Sequence, residues 1–102
     1  MNVEISATVQ RDIDGIYAYY DERSERTADR IVALLIRSLR GLGLFPLLGK
    51  PGHYPHTREH ITPRYGYRIV YEVREETDSI GVIRILHRAQ QWPPETNEHP
   101  PV

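Results

Sequence analysis

The spacing of apolar residues changes once along the chain, and this change limits the folds that the sequence can form. Before residue 44, apolar side chains recur every three or four positions, which is the period of an amphipathic helix. After residue 56 they fall into three runs typical of strands. The segment 44–56 between the two halves carries three prolines and two glycines, which indicates a long loop. The pattern predicts an α+β fold in which helices pack on a sheet.

The helical half is predicted to be an antiparallel hairpin of two helices. Ser6 and Ser24 are placed to cap the two helices at their starts. The second helix has an apolar stripe wide enough to cover both the first helix and a sheet. Gly41 and Gly43 predict its end, and Pro46 prevents it from resuming.

The first helix carries its apolar residues on one face, and that face is predicted to be buried. Tyr17 and Tyr20 belong to this face, whereas helical spacing turns Tyr19 outward. The members of the face are Val9, Ile13, Ile16, Tyr17 and Tyr20.

The β-rich half is predicted to form three antiparallel strands at 57–62, 65–74 and 79–87. In the middle strand, alternation sends the odd-numbered residues 67–73 toward the helices and the even-numbered residues 68–74 to the other face. With a short strand at 3–6, the expected architecture is an N-terminal strand, the two-helix hairpin and a sheet of three further strands. One domain is expected over 1–93, with Trp92 packed at its edge and a disordered tail at 94–102.

Composition excludes several classes of protein. No apolar stretch approaches the roughly 20 residues of a membrane span, and the start lacks the basic and apolar regions of an export signal. We therefore expect a cytoplasmic protein without membrane contact. The net charge of −1 argues against broad attraction to nucleic acid.

His53, His56 and His60 have no acid or thiol that completes a zinc site, so neither a metal nor a cofactor is expected.

Several short sequence motifs, in a fixed order, resemble those of the RelE/ParE toxin superfamily over about residues 3–93. The motifs are Ile5-Ser6, Tyr19-Tyr20, Leu42 with Pro46, Gly49-Lys50, Thr57-Arg58-Glu59, Tyr67 to Tyr71, and His87 followed by Gln91-Trp92-Pro93. The resemblance implies the toxin of a type II toxin–antitoxin system, a class linked to plasmid stabilisation, with a cognate antitoxin that wraps the toxin and neutralises it.

The resemblance leaves two targets open. ParE-like members inhibit DNA gyrase by direct binding, whereas RelE-like members cut messenger RNA in the ribosomal A site. One scaffold hosts both activities, so the fold does not decide between them. The chain has a single lysine and an acidic last third, and this balance favours the ParE-like reading with a protein target.

The alternative nuclease would use Arg68 to bind the phosphate and His87 to move protons, with both side chains on one concave surface of the sheet. Lys50, Arg58 or Arg64 would then orient phosphates. The structural alternative pairs Arg68 with Glu59 or Glu72 across strands, and Arg58-Glu59 is expected to contribute a cross-strand charge pair. The candidate contacts to target or antitoxin are Tyr19, Lys50, Arg58, Glu59, Arg64, Arg68, Arg84, His87 and Trp92.

Overall fold

A computed structural model describes residues 1–87 and 89–93 of the chain. Its elements are β1 (Asn2–Ile5), α1 (Ala7–Asp21), α2 (Glu25–Leu44), β2 (Lys50–Pro51), β3 (Thr57–Ile61), β4 (Tyr67–Arg74) and β5 (Ser79–His87), with a 3-10 turn at Glu75–Thr77. The predicted α+β architecture is confirmed. The tail 94–102, predicted to be disordered, lies outside the described residues. Within the described ranges, no helix is long and apolar enough to cross a membrane.

Both predicted helix caps are confirmed. The Ser6 hydroxyl accepts a hydrogen bond from the backbone N–H of Val9 at 3.3 Å, and the Ser24 hydroxyl accepts one from Thr27 at 3.2 Å. Each cap satisfies a backbone donor that the first helical turn leaves free, which stabilises a helix by about 1 kcal/mol. The caps therefore fix the points at which the chain enters each arm of the hairpin.

The second helix is longer than predicted, because it continues through both glycines to Leu44. Gly43 is needed for close packing rather than for a helix end. A Cβ at this position would lie 2.8 Å from the carbonyl oxygen of Met1, and the Met1 nitrogen donates to the Gly43 carbonyl at 2.7 Å. The prediction that the helix stops at Gly41 or Gly43 is wrong, since the helix continues to Leu44 and Gly43 instead lets the start of the chain lie against the helix.

The sheet has five strands in the order β1-β5-β4-β3-β2. β1 runs parallel to β5, and the other neighbours are antiparallel. The strand missed by the sequence pattern is β2, a two-residue edge strand in the predicted loop that pairs Lys50 with Glu59. Two residues are too few to show alternation, and one of them is a proline, which sheets accept at their edges.

The hairpin packs on one face of the sheet, and the core lies between them. The predicted inner face of β4 is confirmed, since Tyr67, Ile69 and Tyr71 are buried there and Val73 packs beside them. The wide stripe of α2 contacts both α1 and the sheet, as predicted. Tyr20 packs against this core, but Tyr17 is only half-buried and lies outside it.

A β-bulge in β5 sets the orientation of its last residues. Val82 pairs with Tyr71 and Arg84 pairs with Val70, so Ile83 has no partner of its own. Beyond the bulge, Leu86 pairs with Arg68 and His87 pairs with Tyr67. The bulge therefore decides which face of the sheet His87 shares.

Candidate functional site

A cleft of about 480 Å³ opens between α1 and the end of the β4–β5 ladder. Its walls combine aromatic rings with a few polar groups, which is typical of a site that binds an apolar group in a fixed orientation. Gly15 contributes open space, because a Cβ built there meets nothing within 4 Å. The residues that give the cleft its character are Arg11, Tyr19, Tyr20, Tyr67, His87 and Gln90.

An ion pair holds α1 against the sheet beside this cleft. Arg84 donates from Nε and Nη2 to the two carboxylate oxygens of Asp12, at 2.9 and 3.1 Å. The backbone N–H of Ile85, which follows the bulge, donates to the same carboxylate at 3.0 Å. Such a two-pronged pair fixes both distance and angle. Arg84, predicted as a contact to a partner, is therefore engaged within the chain.

Aromatic rings form the wall of the cleft in two edge-to-face pairs. The ring centroids of Tyr67 and His87 are 5.6 Å apart, and those of Tyr19 and Tyr20 are 5.0 Å apart. Burial raises the pKa of the Tyr67 phenol, and the neighbouring Tyr20 hydroxyl raises it further. Tyr67 is therefore a neutral hydroxyl at physiological pH and does not supply a base.

Tyr19 is the exposed ring of this group, as predicted from helical spacing. Its side chain is 55% exposed, and the guanidinium of Arg23 lies 4.2 Å from the ring centroid. Arg23 is itself held by a hydrogen bond to the Tyr19 carbonyl at 2.9 Å. The stacked pair presents a large, restrained contact surface at the mouth of the cleft.

His87 is oriented by the residues that follow it. The backbone N–H of Ala89 donates to His87 Nδ1 at 3.1 Å, and the backbone N–H of His87 donates to the side-chain oxygen of Gln90 at 2.7 Å. Because Nδ1 accepts a hydrogen bond, a neutral ring carries its proton on Nε2. This arrangement suits a hydrogen-bond donor toward a ligand.

Arg68 lies on the other face of the sheet. It forms an ion pair with Glu59, whose carboxylate also accepts a hydrogen bond from the His53 backbone N–H at 2.9 Å. The Arg68 Nε atom is buried and has no hydrogen-bond partner among residues 1–87 and 89–93. Of the two cross-strand partners expected for Arg68, Glu59 is the one observed.

The expectation that Arg68 and His87 share one surface is wrong. Arg68 pairs with Leu86, whereas His87 pairs with Tyr67. Cross-strand partners share a face and successive residues alternate, so the two side chains lie on opposite faces. Tyr67 belongs to the hairpin side, which places His87 at the cleft and Arg68 away from it.

The cross-strand charge pair expected from the Arg58-Glu59 segment is formed by Glu59 with Arg68, and Arg58 takes no part in it. The Arg58 guanidinium donates to the Gly49 carbonyl from Nε at 2.9 Å and to the Leu47 carbonyl at 3.2 Å. Adjacent residues of a strand point to opposite faces, so Arg58 and Glu59 cannot face each other. Arg58 instead holds the turn that follows α2.

Tyr71 holds the same turn from the core side. Its hydroxyl donates to the Pro46 carbonyl at 2.8 Å and accepts from the Gly49 N–H at 2.9 Å. Gly49 is required there, because a Cβ would approach the Tyr71 hydroxyl to 2.7 Å. The turn is therefore fixed, although its apolar side chains face outward. Their exposed fractions are 75% for Leu44, 66% for Phe45, 68% for Leu47 and 56% for Leu48.

Three other predicted contact residues lie apart from the cleft. Lys50 is exposed in the edge strand β2, and Arg64 is exposed in the β3–β4 turn, with its guanidinium 5.7 Å from the Tyr65 ring. Trp92 packs edge-to-face on Tyr54 at 5.7 Å, which confirms its predicted packing. The structure does not bring these residues together with His87 into one site.

Two features escaped the sequence analysis. Asp12 is not on the apolar face of α1, and nothing local in the sequence links it to Arg84. Gly15 gave the clearer signal, because a glycine inside a helix costs up to about 1 kcal/mol relative to alanine and calls for an explanation. Its open space beside Tyr19 supplies one.

Comparison with known proteins agrees with the geometry. The family described as the ParE toxin of type II toxin–antitoxin systems, parDE, matches residues 3–92. A protein of Sinorhizobium fredii named "Putative toxin Y4kP" is 30% identical over 83 residues, which span 81% of this chain and 83% of that protein.

Solved structures share the fold. A chain of the chromosomal ParDE system from P. aeruginosa superposes with a TM-score of 0.75 at 20% identity, covering 85% of this chain and 95% of that one. A chain of the RelBE2 toxin–antitoxin complex from Mycobacterium tuberculosis gives 0.64 at 24% identity, with 85% and 96% covered. The E. coli RelBE complex gives 0.58 at 15%, with 87% and 98% covered. Together with the sequence match, the mixed sheet and its two-helix arm show that the chain belongs to the ParE toxin family of type II toxin–antitoxin systems, within the RelE/ParE superfamily.

Proposed function

We propose that this toxin acts as ParE-like proteins do, by binding DNA gyrase directly, and that a cognate antitoxin neutralises it. The observation that carries this proposal is the separation of Arg68 and His87 onto opposite faces of the sheet. A nuclease of this fold needs a phosphate-binding cation and a proton-transfer group within reach of one reacting phosphate. Binding to a protein target needs no such convergence.

Three arginines of the sheet also argue for binding rather than catalysis. Arg58 is engaged by backbone carbonyls, Arg68 by Glu59, and Arg84 by Asp12. A guanidinium that is already paired must break its internal contact before it can stabilise a crowded phosphate. The resemblance of the chain to ParE-like toxins supplies the identity of the target.

Two parallel assays test the target. Purified toxin is added to a gyrase supercoiling reaction and to ribosomes programmed with a messenger RNA. We expect supercoiling to be inhibited in proportion to toxin and the message to stay intact. Site-specific cuts that disappear in Arg68→Ala and His87→Ala variants would instead establish the alternative, a RelE-like ribosome-dependent endoribonuclease.

The antitoxin is proposed to place an apolar side chain in the cleft beside Tyr19. The cleft has the volume for such a group and a rigid aromatic rim, and exposed aromatic residues commonly dominate binding energy at interfaces. Structural relatives are known as parts of ParDE and RelBE systems, which supports a partner of this kind.

Filling the cleft tests this second part. Gly15→Leu adds a side chain where a Cβ meets no other atom, so the fold is expected to persist while the cleft is occupied. The matched control is Ala18→Leu, at an exposed position of α1 that does not line the cleft. Titration with the cognate antitoxin should show about tenfold weaker binding for Gly15→Leu than for wild type, a loss of about 1.4 kcal/mol. Equal affinities for the two variants would exclude the cleft as the antitoxin site.

A further inference from the structure

The outer face of α2 carries a straight row of exposed arginines. Arg26, Arg30, Arg37 and Arg40 are all exposed, with Ala33 at the centre of the row and Leu44 at its end. Within the described part of the chain, no carboxylate lies within ion-pair distance of these four guanidinium groups. We call these six residues the arginine stripe.

The spacing of the arginine stripe is that of a helix-contacting seam. Its members are separated by four, three, four, three and four residues, which keeps them in line along the helix for about 27 Å. The opposite side of α2, through Ile31, Leu35 and Leu39, faces the core. The helix therefore has two regular seams, and only one of them has a partner within the described chain.

The charge of the stripe is of one sign over most of its length. After Asp29, the next acidic residue in the sequence is Glu59. A helix face that serves only solubility usually alternates positive and negative side chains. A row of four guanidinium groups with no acid after Asp29 instead favours an anionic partner, because charge complementarity steers association and fixes the register.

Apolar residues adjoin the stripe at its C-terminal end. Leu44, Phe45, Leu47 and Leu48 form an exposed cluster that Arg58 and Tyr71 hold in place. Ile36 is also exposed beside Arg37. Contiguous exposed apolar side chains of this kind mark interaction sites in soluble proteins.

We propose that the arginine stripe and the 44–48 cluster together form a docking surface for an acidic amphipathic helix of a partner protein. The acids of that helix face the guanidinium groups, and its apolar residues cover Leu44, Phe45 and Leu47. A nucleic acid backbone would satisfy the charge but would leave the apolar cluster uncovered. A second copy of this chain would set arginine against arginine. This surface is separate from the cleft beside Tyr19 and does not depend on the target of the toxin.

Binding of a designed probe tests the surface. The probe is a fluorescent helical peptide with glutamates spaced by four and three residues and two leucines near one end. Its control is a peptide of the same composition with the glutamates spread around the helix. Wild-type chain should bind the patterned peptide at least about fivefold more tightly than the scrambled one, because exposed ion pairs in register contribute a few-fold each.

Matched variants separate specific contacts from net charge. Arg30→Gln/Arg37→Gln removes two positive charges from the stripe, and Ala7→Glu/Ala18→Glu changes the net charge equally at exposed positions of α1. The first should weaken peptide binding by about fivefold to tenfold and the second by less than twofold. Equal losses in the two variants, or no preference for the patterned peptide, would overturn the proposal.

A DNA duplex of about 20 base pairs, measured at the same ionic strength, distinguishes the class of partner. Leu44→Ser/Leu47→Ser should weaken binding of the peptide severalfold, because the apolar cluster contributes to a helix interface. Tighter binding of the duplex than of the peptide, lost in Arg30→Gln/Arg37→Gln and kept in Leu44→Ser/Leu47→Ser, would assign the surface to nucleic acid and contradict the proposal. Circular dichroism should show the same helix content in every variant.

Discussion

Two groups of arginines, one on the sheet and one on the outer face of α2, differ in their surroundings. On the sheet, Arg58 binds carbonyls of a turn, Arg68 binds Glu59, Arg74 binds Glu72 and Glu4, and Arg84 binds Asp12. The four arginines of the stripe have no such contacts to the described residues. Residue type alone therefore says little about function, and the paired or unpaired state of each guanidinium says more.

The two groups of arginines also differ in their role. Sheet arginines tie together segments that are far apart in sequence, as Arg84 and Asp12 do. Stripe arginines lie on a helix whose position is already set by its buried face. Removing a sheet arginine should therefore reduce stability, whereas removing a stripe arginine should reduce binding. The following predictions are ordered by the size of the expected effect.

Asp12→Ala should destabilise the chain by about 2–3 kcal/mol. The substitution removes three hydrogen bonds and leaves the half-buried Arg84 guanidinium without its carboxylate. Urea unfolding followed by circular dichroism measures the change. Asp14→Ala, at an exposed position two residues on, is the control and should cost less than about 0.5 kcal/mol. Similar losses for both would mean that the pair does not anchor α1.

Tyr71→Phe should cost about 1–2 kcal/mol, because the Gly49 N–H and the Pro46 carbonyl both lose their partner in a buried setting. The variant should also loosen the 44–48 turn. Hydrogen exchange of the Gly49 amide reports the loosening directly. Tyr65→Phe, on an exposed ring, provides the comparison. An unchanged Gly49 exchange rate would show that Arg58 alone fixes the turn.

Arg68→Ala and Arg37→Ala compare the two regions most directly. The first breaks a partly buried ion pair and should cost about 1 kcal/mol, whereas the second removes an exposed side chain and should stay within about 0.5 kcal/mol of wild type. Both variants lose one positive charge, so each controls for the net charge of the other. Thermal unfolding measures the difference in stability. A larger loss for Arg37→Ala than for Arg68→Ala would contradict the distinction between the two groups of arginines.

The smallest expected effect is a pH dependence from His60. Burial lowers the pKa of this imidazole in the folded chain below its ordinary value of 6.5. The unfolded chain therefore binds more protons as the pH falls below about 6.5, and stability decreases in the same direction. Unfolding free energies measured between pH 5 and pH 8 should fall more steeply toward low pH for wild type than for His60→Gln. A wild-type profile no steeper than that of the variant would show that another group dominates.

The sequence predicts most of the fold because its local signals agree with the tertiary structure. Ser6 and Ser24 cap the helices where the pattern places them, and the inner face of β4 follows simple alternation. The end of α2 was misjudged because Gly43 has a tertiary function, the close approach of β1, that resembles a local stop signal.

The geometry of the candidate site is harder to predict from the sequence than the fold is. The faces of Arg68 and His87 depend on the register of β4 against β5, and that register depends on a bulge at Ile83 that no local pattern marks. The pairing of Asp12 with Arg84 joins residues 72 positions apart. Exposure at Tyr19 was predictable, because it depends only on helical spacing.

The parallel pairing of β1 with β5 has a consequence for synthesis of the toxin. β5 lies between β1 and β4, so neither of these strands has its full set of sheet partners until residues 79–87 exist. Until β5 is synthesised, β1 is not joined to β2, β3 and β4, so the hairpin covers an incomplete sheet. The pairing of β1 with β5 also joins residues that are among the most distant in sequence, and this delays folding until β5 has emerged from the ribosome. A toxin built in this order reaches its folded shape only after β5 has been synthesised.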